Sequence, residues 1–176
     1  MSVTVFVDTN VLLYARDSSE PKKQRLAEAW LSHLWRERSG RLSVQVLAEF
    51  YVNATRELDP GMPPEEAWDD VRSLMTWRPQ QTDVATLELG REIERRYRIG
   101  WWDSLIVAAA QLQGCAVLLS EDFQDGAVFG GVTVRSPFSL AMEEAAADYS
   151  VADRPRELHR GRGRPARSQP VTRRSA

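Results

Sequence analysis

The sequence predicts an α/β fold, a three-layer α/β/α sandwich around a short, mainly parallel central sheet. The runs VTVFV (3–7) and CAVLLS (115–120) are continuously apolar over strand length, the pattern of strands covered on both faces. Between them lie stretches whose apolar residues recur at helical spacing, and strands alternating with helices build parallel sheets between helix layers. With 176 residues, 43% hydrophobic content and six tryptophans, the chain has material for one cored domain and an appendage.

Taken in order, VTVFV is the first strand and VLLYA (11–15) a short helix just behind it. Pro21, suited to a first helical turn, starts a helix to about Arg38 whose stripe is Leu26, Trp30, Leu34 and Trp35. Ser39-Gly40 ends it. RLSV (41–44) reads as a strand and QVLAEFYVNATREL (45–58) as the next helix, broken by Pro60, Gly61, Pro63 and Pro64. Glu65 to Met75 forms another helix. Trp77–Gln81 reads as extended, and Asp83 as the N-cap of a helix up to Tyr97. WDSLIVAAAQLQ (102–113) is strongly helical, CAVLLS is the buried strand, and VTV (132–134) is the last. No internal repeat is present.

The composition divides the chain into a domain over 1–145 and a basic tail over 146–176. Residues 1–149 hold 15 Lys/Arg against 23 Asp/Glu, whereas 150–176 hold 8 against 2. The stretch RPRELHRGRGRPARSQPVTRR lacks apolar periodicity and is expected to be disordered. Its arginines are suited to salt-sensitive phosphate contacts with RNA, or form an inert extension.

Several chemistries are excluded. No Gly-Lys-Ser/Thr exists, so there is no P-loop. One cysteine and two distant histidines, His33 and His159, do not make a zinc site. His33 lies at helical spacing among Leu31, Leu34 and Trp35 and reads as structural rather than as part of a Ser-His-Asp triad. Cys115 has no partner for an internal disulfide, no run approaches 18 apolar residues and the N-terminus lacks a signal-peptide pattern. The expectation is a cytoplasmic protein without a membrane span.

What remains in abundance is carboxylate and arginine. Asp8 interrupts the first apolar run directly after its strand, and Asp122 lies just past the CAVLL strand, so topology assigns both to the same sheet edge, where open α/β sheets bind ligands. Glu49 has Gln45, Val46, Val52 and Asn53 as its helical neighbours, none of them basic. Asp103 begins the apolar helix WDSLIVAAA. Each acid has a bland reading: Asp8 or Asp103 as a helix cap, Asp122 as a turn residue, Glu49 as a surface charge. Their company argues otherwise, since Ile99 to Val134 holds no Lys or Arg but contains Asp103, Glu121, Asp122 and Asp125. Converging carboxylates without a cation raise one another's pKa. A hard divalent ion relieves that conflict, and oxygen ligands select Mg²⁺ or Mn²⁺. Asp8 then reads as a metal ligand, and the site as one that hydrolyses a phosphodiester. Arg91, Arg95, Arg96, Arg98, Arg36, Arg38 and Arg41 are available to hold its backbone, or form solvated helix faces.

As an ordered set, VDTNVLLYA, SVQVLAEFYVNATR, WWDSLIVAAA and LLSEDFQDG resemble the PIN-domain ribonucleases, most nearly the VapC-type toxins of bacterial toxin–antitoxin pairs. The resemblance covers about residues 3 to 138. It implies that Asp8, Glu49, Asp103 and Asp122 are the family's acidic quartet, with Asp8 and Asp103 on the metal and Glu49 and Asp122 joining directly or through water. It further implies that Thr9 and Ser120 line the site and that Asn10 braces its loop. The implied activity is Mg²⁺- or Mn²⁺-dependent RNA cleavage by an activated water without a covalent intermediate. The implied partners are RNA, a second copy of the chain and a small antitoxin that fills the active-site groove. The last motif is crowded, with Glu121 and Asp125 as rivals to Asp122, and the basic appendix is not a usual family feature.

Two other classes compete. A non-catalytic RNA- or protein-binding module would keep the fold but turn nothing over. A phosphoacceptor domain would need a lysine late in the chain, and none follows Lys23.

Overall fold

The computed structural model describes residues 3–139; the tail expected over 146–176 and the end of the 1–145 domain lie outside the described residues. At its centre, β1 (Val5–Val7) is buried at all three residues and pairs in parallel with β2 (Gly40–Arg41) and β3 (Val117–Leu119). β5 (Val132–Arg135) continues the sheet in parallel from β3, and β4 (Val128–Phe129) lies antiparallel to β5. The order is β2-β1-β3-β5-β4.

β1 reaches β2 through α1 (Thr9–Tyr14) and α2 (Pro21–Glu37). β2 returns past β1 to β3 through α3 (Val44–Arg56), α4 (Pro64–Leu74), a 3-10 turn (Met75–Trp77), α5 (Val84–Tyr97) and α6 (Trp101–Leu112). Crossovers between parallel strands are right-handed, so these opposite steps cover both faces and make the expected three-layer α/β/α sandwich. Phe6, Val7, Val11, Trp30, Leu34, Phe50, Leu118 and Leu119 are buried in one core. Burying such side chains is worth about 1.5–3 kcal/mol each. α6 buries every residue from Ser104 to Ala110. Gly90 of α5 permits its close approach, since a Cβ there would stand 2.6 Å from Leu105 Cδ2. Cys115 is buried, and that burial pushes its thiol pKa up to about 12, the mark of an inert core thiol.

Several boundaries differ from expectation. The RLSV strand shortens to Gly40–Arg41 because Ser43 leaves it to cap α3, its hydroxyl accepting from Val46 N at 3.3 Å. Pairing nevertheless continues beyond the strand, as Val44 N donates to Gln80 O and Gln80 N to Leu42 O. The extended segment expected over Trp77–Gln81 thus begins later, Trp77 closing the 3-10 turn. The helix expected over 45–58 stops at Arg56. Asp83 caps α5 as expected, accepting from Thr86 N and Oγ1, both at 2.9 Å. β4 was not expected; Gly130 at φ +61 makes the tight turn that folds it back on β5.

Candidate functional site

The connections leaving β1 and β3 run to opposite sides of the sheet, so the crevice beyond the carboxyl ends of these two neighbours is the topological switch point, the usual ligand position in such folds. Asp8 follows β1 there, its backbone N donating to Leu119 O at the end of β3 (3.1 Å). Asp8 is the N-cap of α1, with Oδ1 accepting from Thr9 N at 2.7 Å. Oδ2 accepts from Ser120 Oγ at 2.7 Å and from Asn10 Nδ2 at 3.2 Å. Asp8 therefore caps a helix and faces the crevice at once.

The loop after β3 is tied to the same group. Asn10 Nδ2 also donates to Ser120 Oγ (3.1 Å), and Asn10 Oδ1 accepts from Glu121 N (3.3 Å). Ser120 Oγ accepts from Asp122 N (3.1 Å). The three crowded acids then part company. Glu121 turns to Lys23, whose Nζ lies 2.5 Å from its Oε1, and Asp125 accepts from Ser136 N at 2.8 Å. Asp122 lines the cavity.

Glu49 comes from α3, half-buried one turn after Gln45. Thr9 Oγ1 donates to its Oε2 and Gln45 Nε2 to its Oε1, each at 3.0 Å. Asp103 is the third residue of α6 rather than its cap, which is Gly100. A negative charge in a helix's first turn is favoured by the backbone N–H groups there. Asp8, Glu49, Asp103 and Asp122 together line one cavity of ≈ 210 Å³ with Thr9, Asn10, Leu13, Gln45, Asn53, Trp102 and Ile106. Asp8 is buried, whereas Asp103 and Asp122 are exposed; Ser120 is buried behind Asp8 and does not itself line the cavity.

Burial pushes the Asp8 carboxyl up to about 7; hydrogen bonds from Ser120 and Thr9 pull against it, and the charges of Asp122 and Glu49 add to the rise. No Lys or Arg among the described residues lines the cavity. Among the described residues, Asp8, Glu49 and Asp122 take no part in an ion pair.

Carboxylate, hydroxyl and amide oxygens form the donor set, which suits a hard cation. Among the described residues, no three His, Cys, Asp or Glu side chains stand close enough to grip one ion by themselves. The convergence is thus looser than the sequence suggests. It fits Mg²⁺ or Mn²⁺ better than a tightly caged metal, since Mg²⁺ keeps several waters and takes only one or two carboxylates directly.

Sequence reasoning passed over Gln45, Asn53, Trp102 and Lys23 as site residues. Gln45 was visible only as an uncharged neighbour of Glu49. Lys23 lies 98 residues from Glu121, so no local pattern could join them. The clusters Arg91–Arg98 and Arg36–Arg41 do not line the cavity.

The sequence model of the PIN domain matches residues 5–124. No curated protein matches the chain. Among solved structures, a toxin–antitoxin complex from Klebsiella pneumoniae is similar at 20% identity and TM-score 0.55, covering 76% of this chain and 98% of the other. FitAcB from Neisseria gonorrhoeae is similar at 21% identity and TM-score 0.58, covering 78% and 100%. The sarcin–ricin-loop-cleaving toxin VapC20 of Mycobacterium tuberculosis is similar at 20% identity and TM-score 0.52, covering 74% and 99%. At these identities the likeness is one of fold.

Proposed function

The chain belongs to the PIN-domain family, and from that premise we propose that it is a Mg²⁺- or Mn²⁺-dependent endoribonuclease, the toxin of a toxin–antitoxin pair. One observation supports the reading above all. A buried carboxylate, Asp8, sits at the switch point among three further acids and neutral donors, in a cavity that no Lys or Arg among the described residues lines. Such a group is costly to ionise alone and is relieved by a bound cation.

In this reading Asp8 and Asp103 hold the ion, with Glu49 and Asp122 joining directly or through water. When bound, the ion supplies positive charge to the phosphate and lowers the pKa of a water. Ser120 and Asn10 orient Asp8, and Asn10 and Ser120 also hold the loop that carries Asp122. Thr9 and Gln45 orient Glu49. Water attacks phosphorus while the bond to the leaving ribose oxygen breaks, and no side chain becomes covalently attached. RNA as substrate is supported by the VapC20 likeness, and an antitoxin partner by the likeness to toxin–antitoxin complexes. A homodimer, a cytoplasmic location and a division into a 1–145 nuclease domain and a 146–176 tail complete the proposal. Among the described residues no helix is long and apolar enough to cross a membrane.

The wide spacing of the acids favours one competitor, a binding module that turns nothing over. Incubating the full chain with cellular RNA separates the two. The nuclease cleaves with Mg²⁺ or Mn²⁺, stops with EDTA and is silenced by Asp8→Asn. RNA retention with no metal-dependent turnover marks the binding module instead.

A further inference from the structure

We propose that Trp102 is the stacking platform for an unpaired nucleobase beside the scissile phosphodiester in the acidic cavity; this rests on the nuclease reading above.

Of the six tryptophans, all within the described residues, Trp30 and Trp77 are buried and Trp101 is half-buried and does not line the acidic cavity. Trp35 and Trp68 are 41% and 45% exposed, but each meets another ring, Trp77 at 5.0 Å and Tyr51 at 6.1 Å. Trp102 is 61% exposed, lines the acidic cavity and has no ring partner among the described residues. A large aromatic left open at the mouth of a polar cavity is unexpected on burial grounds alone.

Its backbone is anchored to the acids. The Trp102 carbonyl accepts from Gln45 Nε2 at 3.3 Å, and the same amide nitrogen donates to Glu49 Oε1 at 3.0 Å. Asp103 is the next residue in the chain. The backbone that carries the indole is therefore tied to two of the four acids.

Charge explains why an aromatic belongs there. Among the described residues, four carboxylates and no Lys or Arg line the cavity, so apart from a bound cation this lining repels a polyanion. A neutral π-face attracts any base without adding charge, and such stacking tolerates sequence. Paired bases already stack on their neighbours and offer no free face, whereas the splayed bases of loops and single strands do.

The test uses the full chain with Mg²⁺ and a randomised pool of unstructured oligoribonucleotides, alone or annealed to complements. Trp102→Ala is expected to raise KM roughly tenfold to a hundredfold on single strands while leaving kcat unchanged, the pattern of lost substrate binding. Trp102→Phe recovers most of the loss. In a cleaved oligoribonucleotide, removing the base beside the cut raises KM for the wild type but not for Trp102→Ala. An unchanged KM in Trp102→Ala, equal cleavage of duplex by the wild type, or a dimer that Trp102→Ala reduces to monomer would overturn the proposal and leave the nuclease reading standing. Absence of any metal-dependent cleavage by the wild type removes that reading and the proposal with it.

Discussion

Two cavities in this molecule handle carboxylates in opposite ways. The larger, of ≈ 360 Å³, has Leu12, Ala15, Leu31, Trp35, Phe50 and Leu74 in its walls beside Arg16, Glu28 and Asp70. Its Asp70 is neutralised by Arg16, whose Nε and Nη2 reach the two carboxylate oxygens at 2.7 and 2.6 Å. Among the described residues, four acids and no arginine line the smaller. The chain has 21 arginines, so the omission is not a shortage of cations. The larger cavity thus pairs Asp70 with an arginine of its own wall, whereas among the described residues Asp8, Glu49 and Asp122 of the smaller one take part in no ion pair.

The largest expected effect falls on the smaller cavity. Asp8→Asn should lower metal-dependent RNA cleavage by about 10²-fold or more, the scale of losing a group that stabilises the transition state. Asp122→Asn should follow it, while Glu121→Gln and Asp125→Asn should stay near wild type. Rate measurements on the four variants check the assignment, and equal losses at Asp122 and Asp125 would break it.

Next comes stability against pH. With EDTA present, Asp8 is pushed up to about 7 by burial and by its acidic neighbours, against 3.8 for the ordinary group. Between those values the folded chain keeps a proton that the unfolded chain has lost, so stability falls as pH rises from about 4 to 7. The loss amounts to about 4 kcal/mol at most. Urea unfolding across that range should show the decline in wild type and a flatter curve in Asp8→Asn. Adding Mg²⁺ at pH 8 should restore stability to the wild type alone.

Smaller effects come from the paired acids. Partial burial works against the charge on Lys23, but its hydrogen bonds to Glu121 and Tyr14 prevail and raise its pKa. Replacing it by Met removes only a partly exposed pair with Glu121, which does not line the cavity, and should lower turnover far less than Asp122→Asn does. Arg16→Ala in the larger cavity removes a partly exposed pair and should cost less than about 1 kcal/mol in thermal unfolding. Its cleavage rate should be unchanged.

Much of this contrast was legible beforehand. Asp8 betrays itself by interrupting an apolar run, and Glu49 by the absence of a basic residue one turn away. The strands β1 and β3 are readable because burial on both faces leaves an unbroken apolar signature. β4 is two residues long with Val128 exposed, too short for any periodicity, although Gly130-Gly131 marks its turn. The choice among Glu121, Asp122 and Asp125 depends on Lys23 and on Ser136 N, partners that only the folded chain supplies. The true start of α3 turned on a cap, Ser43, at a position where its β-like neighbours suggested a strand.

Manganese binding followed by electron paramagnetic resonance tests the central claim most directly. Titrated at pH 8, the wild type should take up Mn²⁺ and Asp8→Asn should lose most of that uptake, with Arg16→Ala binding as the wild type does. Equal binding by wild type and Asp8→Asn, or none by either, would contradict the account.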